Sequence, residues 1–180
     1  VARFGCGAGA PSKRRAGGGR LSASAGLAVT AGVLRQAGED INRGFISVAR
    51  RGRPWVVQKV AMSLDGKIAT ASGESKWITG EAARRDGHSW RQWCDAIVVG
   101  VGTVKADDPQ LTARGGGARD PMRVVVDSKL TTPPTARVLP RQARGSSARV
   151  VIATTAPTLT AAQRSPPSAL GKRLRGLLAA

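Results

Sequence analysis

Polar residues follow three apolar segments of this 180-residue sequence, at the points where the apolar runs end. These are residues 62–66, 100–103 and 127–128. Ligands of open α/β sheets bind at the carboxyl ends of the strands, so these are the first candidates for a site. Gly102 and Thr103 open a helical turn whose free N–H groups and hydroxyl would suit a phosphate or a ribose. Lys105 stands where a third glycine would complete a dinucleotide motif, so nucleotide binding and an ordinary tight turn both stay open.

Charged residues between these segments suggest a second ligand group. Arg91 and Arg114 offer planar donor forks for a phosphate, although a lone arginine is more often a surface residue. Asp107 and Asp108 are adjacent, but before a proline they favour a helix end and a turn over acid–base or metal chemistry. His88 is the single histidine, and without a second histidine or a cysteine cluster we expect no metal site.

The net charge of +18 is typical of nucleic-acid-binding proteins, but its distribution argues against that class. Residues 1–53 carry +8, residues 54–114 carry +1 and residues 115–180 carry +9. The excess therefore lies in flanks that have almost no aromatic side chains for base stacking. We expect a small-molecule partner, with nucleic acid as the minor alternative, and leave a homo-oligomer open.

The two cysteines predict no disulfide framework, and the sequence has no apolar run long enough to span a membrane. We therefore expect a cytoplasmic protein. The stretch before residue 27 is rich in glycine, alanine and arginine, so we expect it to be disordered. Residues 27–34 predict a short strand, and residues 35–51 predict a helical connector weakened by two glycines.

Alternation of apolar segments and one helix predicts an α/β fold with a mostly parallel sheet. Strands are expected at residues 54–62, 94–102, 122–126 and 149–153, the first being the clearest because of its β-branched residues. A helix is expected over residues 81–92 with Thr79 as its N-cap, and a helical turn over residues 103–106. The proline-rich residues 129–140 cannot form a central strand, and a short helix is expected after Pro167.

Three ordered motifs, residues 59–91, 96–114 and 121–134, resemble the reductase domain of the bifunctional deaminase/reductase of riboflavin biosynthesis. The resemblance covers about residues 52–154. It implies a dihydrofolate-reductase-like fold, with a central sheet flanked by helices. It also implies NADPH-dependent reduction of the ribosyl group of 5-amino-6-(5-phosphoribosylamino)uracil to a ribityl chain. Members that reduce before deamination share these motifs, so the exact pyrimidine stays open.

The resemblance also assigns residues to two ligands. The expected NADPH contacts are Ala61, Trp77, Thr103, Asp107 and Ser128. The expected contacts to the substrate and its phosphate are Ser75, Arg91, Leu111 and Arg114. Hydride transfer mainly requires the protein to position two ligands, so no residue is assigned as a catalytic acid or base.

The resemblance further predicts a division of the chain. Residues 1–26 would be a disordered basic segment, 27–51 the end of a deaminase domain with its linker, 52–154 the first part of the reductase domain, and 155–180 a poorly determined tail. The zinc signature of the deaminase half and the later reductase strands, with their Glu-Gly-Gly segment, are absent from this sequence. We therefore expect no deaminase activity, and an inactive reductase fragment is an alternative to the reductase.

Overall fold

The computed structural model describes residues 3–6, 18–114, 119–139 and 149–179, with the backbone alone for residues 3–6. The chain divides into two units, Val1–Lys59 and Val60–Ala180. Among the described residues, no helix has both the length and the apolar character that crossing a membrane requires.

The first unit contradicts part of the expected disorder before residue 27. Its described elements are strand β1 (Arg3–Cys6), helix α1 (Gly18–Ser24), strand β2 (Ala28–Ala31) and helices α2 (Arg35–Ile41) and α3 (Arg43–Arg51). Strands β1 and β2 pair in parallel, so their backbone groups are satisfied without large side chains. The prediction of disorder is wrong for β1 and α1, and residues 1–2 and 7–17 lie outside the described part.

The expected helical connector is two helices rather than one. Asn42 ends α2 and precedes α3, with a non-helical backbone at φ −111°. Two arginines of α3 pair with the two carboxylates of α2, Arg43 with Asp40 at 2.8 Å and Arg50 with Glu39 at 2.9 Å. Part of the basic charge of this unit is therefore neutralised within the unit itself.

The second unit is built on a three-stranded parallel sheet, which confirms the predicted fold class. Its elements are α4 (Glu81–Trp93), β3 (Ala96–Gly100), α5 (Val101–Asp107), β4 (Met122–Val126), β5 (Val150–Ala153), α6 (Ala156–Arg164) and α7 (Ala169–Ala179). The strand order is β3-β4-β5. The register places Val98 beside Val124 and Val124 beside Val151, so the carboxyl ends of all three strands lie at one edge.

One face of this sheet carries the core. The buried cluster consists of Val104, Leu111, Val125, Ala136, Val138 and Leu139. Three of its members come from the proline-rich segment that the sequence analysis treated only as a non-strand. Turns close this segment, with Ala136 N–H donating to Pro133 O and Leu139 N–H to Ala136 O, both at 3.0 Å. Backbone groups are thus satisfied locally while the apolar side chains pack on the sheet.

Val138 gives a test of this packing. Replacing Val138, which is fully buried, by alanine is expected to lower the free energy of unfolding by about 2 kcal/mol, through lost burial and a cavity. The matched control is Val98→Ala on the opposite face, where 62 % of the side chain is exposed. Urea unfolding followed by tryptophan fluorescence measures both, and equal losses would contradict the assignment of this segment to the core.

The predicted strand at residues 54–62 does not form. These residues are without regular secondary structure, and Val56 and Met62 are 79 % and 57 % exposed. Their β-branched composition favours an extended backbone, but a strand also needs a neighbour that completes its hydrogen-bond ladder. None of the described strands pairs with this segment.

Two further expectations are corrected at helix starts. Helix α4 begins at Glu81, so its N-cap is Gly80 and not the predicted Thr79. The expected poorly determined tail contains α6 as well as the predicted helix after Pro167. Thr155 caps α6 by accepting a hydrogen bond from Thr158 N–H at 3.4 Å, and Pro157 lies in its first turn, a combination that favours helix starts.

Candidate cofactor and substrate site

The carboxyl edge of the sheet brings two predicted cofactor residues to the same place. Gly100 at the end of β3 pairs with Val126 at the end of β4. Helix α5 follows β3 at once and is anchored by Val104, which is 2 % exposed, while Thr103 stays exposed. Ser128, also exposed, follows β4. The two hydroxyl-bearing residues therefore follow adjacent strand ends.

Asp127 fixes the turn that carries Ser128. Its carboxylate is 1 % exposed and accepts hydrogen bonds from Thr132 N–H at 2.6 Å and from Thr132 Oγ1 at 2.7 Å. Lys129 N–H and Thr131 Oγ1 donate to it at 3.3 Å. Burial acts to raise the pKa of Asp127, but these hydrogen bonds outweigh it and hold the pKa below its ordinary value.

Helix α6 also contacts this turn. Thr158 Oγ1, in the first turn of α6, donates a hydrogen bond to the carbonyl oxygen of Ser128 at 2.8 Å. The backbone of Ser128 is thereby held between the turn and α6. Its exposed side chain remains available to a ligand.

The loop that contains Trp77 is tied to α5 by an ion pair. Lys76 Nζ lies 3.4 Å from Asp107 Oδ1, so the predicted cofactor residues Trp77 and Asp107 are brought close. The Trp77 ring is 71 % exposed, and the Arg84 guanidinium lies 4.4 Å from its centroid, a cation–π distance. Arg84 is itself held by donating to Thr79 O at 2.8 Å. The ring is therefore oriented but accessible.

The remaining predicted residues of this part lie outside the sheet. Ala61 is half-buried in the segment without regular structure, and Ser75 is exposed immediately before Lys76. The polar residues 62–66, expected at the end of a strand, instead form a turn in which Ser63 N–H donates to Lys67 O at 2.9 Å. Unlike Thr103 and Ser128, residues 62–66 therefore do not follow a strand.

Three nitrogen-bearing side chains converge on the predicted phosphate position. Arg91 on α4 donates to Thr112 O at 3.0 Å and lies 3.2 Å from His88 Nδ1. Burial lowers the pKa of Arg91, and the positive charge of Arg114 lowers it further. Burial also lowers the pKa of His88, with added contributions from Arg91 and Arg114. A bound anion would relieve the repulsion between the two arginines.

Leu111 belongs to this position through its backbone only. Its side chain is 5 % exposed and lies in the core cluster, so any contact with a ligand would come from the main chain. Both Leu111 and Arg114 have positive φ, 56° and 50°, a left-handed conformation that is uncommon for residues other than glycine. The loop between them is therefore strained and needs support from its surroundings.

Two supporting residues were missed by the sequence analysis. Asp120 Oδ1 accepts a hydrogen bond from Ala113 N–H at 2.7 Å. Arg123 on β4 is fully buried, and its guanidinium approaches Gln110 O at 3.5 Å. The available signal was the period of two in β4, which places Arg123 on the same buried face as Val125. A charged residue at such a position indicates a buried polar network.

Similarity to solved structures defines the class of domain. The structure matches a deaminase/5-amino-6-(5-phosphoribosylamino)uracil reductase from Thermotoga maritima with a TM-score of 0.74 and 33 % identity, over 86 % of this chain and 43 % of that chain. It matches Acinetobacter baumannii RibD with a TM-score of 0.72 and 30 % identity, over 92 % of this chain and 58 % of that one. The fold is therefore dihydrofolate-reductase-like, as predicted.

Sequence similarity gives the family. The model of the RibD C-terminal domain matches residues 54–168, and the chain belongs to this family. The riboflavin biosynthesis protein RibD of Bacillus amyloliquefaciens is 53 % identical over 116 residues, 64 % of this chain and 31 % of the relative. RibD of Mycobacterium tuberculosis H37Rv is 52 % identical over 133 residues, 71 % and 39 % respectively. The chain spans about a third of the length of these relatives.

Proposed function

We propose that the protein binds NADPH and takes part in reducing the ribosyl group of 5-amino-6-(5-phosphoribosylamino)uracil to a ribityl chain, a step of riboflavin biosynthesis. The observation that carries this proposal is the cluster of Arg91, Arg114 and His88, in which Arg91 lies 3.2 Å from His88 Nδ1 and donates to Thr112 O, two residues before Arg114. Burial, and then the charges of the two arginines, lower the pKa of His88. A phosphate group carries the charge and the acceptor oxygens that such a position favours. The match to a Thermotoga maritima protein whose name includes this reductase supports the substrate class.

The residues at the carboxyl edge of the sheet fit a dinucleotide. Trp77 offers an exposed aromatic ring, and Thr103 and Ser128 offer exposed hydroxyl groups for ribose or phosphate oxygens. Ala61 and Asp107 complete the set of proposed NADPH contacts. NADPH would supply the hydride, while these side chains orient it and exclude water from the reacting centre.

On the substrate side, the chain's task is positioning. Arg91 and Arg114 would hold the phosphate, with Ser75 and the backbone of Leu111 contacting the rest of the substrate. Holding two reactants in a productive geometry supplies much of the rate in such reactions. No side chain is assigned as a proton donor.

Since Cys94 is a free thiol, we place the protein in the reducing cytoplasm.

An NADPH titration of the purified chain tests the cofactor part of the proposal. Saturable energy transfer from tryptophan to the nicotinamide is expected. Trp77→Ala should weaken NADPH binding about tenfold, because this is the change in affinity that the loss of one base–aromatic stacking contact causes. Trp93→Ala is the matched control, since Trp93 is 85 % exposed at the end of α4 and has no proposed role.

The outcomes separate the alternatives. Saturable NADPH binding that is about tenfold weaker in Trp77→Ala and unchanged in Trp93→Ala supports the reductase. A soluble, folded chain that binds no NADPH contradicts it and favours an inactive fragment. Tight binding to DNA that weakens steeply with salt, in place of NADPH binding, would favour the basic nucleic-acid-binding alternative.

A further inference from the structure

The loop over residues 111–114 is held in a conformation that its own sequence disfavours. Leu111 and Arg114 both adopt left-handed backbone angles, which are unfavourable for residues other than glycine. None of the four residues in this loop is a glycine. The conformation therefore persists only because contacts from other elements determine it.

Three contacts hold this loop from different directions. The Leu111 side chain is anchored in the core cluster. The carbonyl of Thr112 accepts the hydrogen bond from Arg91 on α4. The N–H of Ala113, a fully buried residue, donates to Asp120 just before β4. Of these three contacts, the one from Asp120 holds Ala113, the residue directly before Arg114.

Asp120 is in turn linked to the buried side of the sheet. Burial of Arg123 on β4 lowers the pKa of its guanidinium, and the negative charge of Asp120 opposes this shift without reversing it. A carboxylate in such a setting is restricted in position, because movement would cost the favourable interaction with a desolvated cation. The restriction passes to Ala113 through a hydrogen bond of 2.7 Å.

We propose that Asp120 is a positioning residue of the substrate-phosphate site, which sets the direction of Arg114 by fixing the backbone of Ala113. The inference rests on the proposed function and deepens it. Arg91 and Arg114 repel each other when no anion is bound. A loop released from Asp120 would let the exposed Arg114 move away from Arg91, and ligand binding would then have to bring it back at an entropic cost.

Binding of two ligands to the full chain tests this role. The probes are ribose 5-phosphate, for the phosphate position, and NADPH, for the cofactor position, both measured by titration calorimetry. Asp120→Ala is expected to weaken ribose 5-phosphate about tenfold while the NADPH affinity stays within about twofold. Asp120→Asn should fall between, since its amide oxygen still accepts the Ala113 N–H without the charge that faces Arg123.

Asp95→Ala is the matched control. Asp95 is also a carboxylate paired with an arginine, Arg119 at 3.0 Å, but its side chain is 99 % exposed. Both affinities should stay as in the wild type in this variant. Because Asp95 lies just before β3 as Asp120 lies just before β4, the comparison separates a positioning role from any loss of surface charge.

Each outcome supports or contradicts a defined statement. Unchanged ribose 5-phosphate binding in Asp120→Ala, or equal weakening of both ligands, overturns the positioning role. A wild-type chain that binds NADPH but not ribose 5-phosphate overturns this inference and leaves the cofactor proposal standing. A wild-type chain that binds ribose 5-phosphate but not NADPH contradicts the proposed reductase alone, and one that binds neither contradicts both.

Discussion

Replacing Asp127 by alanine is expected to lower the free energy of unfolding by about 3–5 kcal/mol, the largest single loss of stability that we predict. The carboxylate is 1 % exposed and receives four hydrogen bonds. The Thr132 N–H and hydroxyl lie 2.6 and 2.7 Å from Asp127 Oδ2, and both would lose this acceptor in the alanine variant. The turn that carries Ser128 would loosen as a result.

Urea unfolding monitored by circular dichroism measures this loss. Asp127→Asn should cost less, since its one amide oxygen can still accept a hydrogen bond, while its NH₂ group opposes a donor. Asp95→Ala, which removes an exposed carboxylate, should change stability by less than about 1 kcal/mol. Comparable losses in Asp127→Ala and Asp95→Ala would show that the turn is not held by this carboxylate.

The pH dependence of stability follows from the same group. The pKa of Asp127 is lower in the folded protein than the ordinary value of about 3.9 that applies in the unfolded chain. Its stabilising contribution is therefore fully present above about pH 4 and is lost as the pH falls through the lower folded pKa. Asp127→Asn should flatten this part of the acid-unfolding curve, and an unchanged curve would contradict the assignment.

Arg91→Ala is expected to have the largest effect on ligand binding, weakening ribose 5-phosphate by about 30–100-fold, or roughly 2–3 kcal/mol. The substitution removes a guanidinium that would donate hydrogen bonds to the phosphate. It also removes the hydrogen bond to Thr112 O, which is one of the three contacts that fix the loop over residues 111–114. Arg91→Lys should recover only part of the affinity, because an ammonium lacks the planar fork of donors.

The matched control for Arg91 lies on the same helix. Arg85 is an exposed arginine of α4 that pairs with Glu81 at 2.6 Å, one turn towards the helix start. Arg85→Ala should leave ribose 5-phosphate binding within about twofold of the wild type. If both variants lost affinity equally, a general loss of positive charge would be responsible rather than the site at Arg91.

Most regular elements of the second unit were predictable from the sequence, and α6 was the exception. Strands β3 and β4 are short apolar runs bounded by glycine or turn residues, and α4 lies between two such breaks. Three ordered motifs, the longest of them 33 residues, also indicated the family from the sequence alone. Arg91 and Arg114 were named because guanidinium groups suit phosphate, a matter of residue chemistry alone.

The same local signals did not predict the features that depend on strand pairing or on tertiary packing. Residues 54–62 have the composition of a strand, yet no described strand pairs with them, because a ladder depends on a partner elsewhere in the chain. The proline-rich segment was correctly excluded as a strand, but its place in the core depends on turns that aim Val138 and Leu139 at the sheet.

Residue types in the sequence determined the strands of the sheet, the family and the identities of the groups proposed to bind ligands. The tertiary structure alone decided how those groups are supported. Asp120 and Ala113 are seven positions apart, and Arg91 and Thr112 twenty-one, so their contacts depend on loops and helix packing that no local pattern records. Asp127 likewise matters because it is buried, and burial is a property of the folded chain.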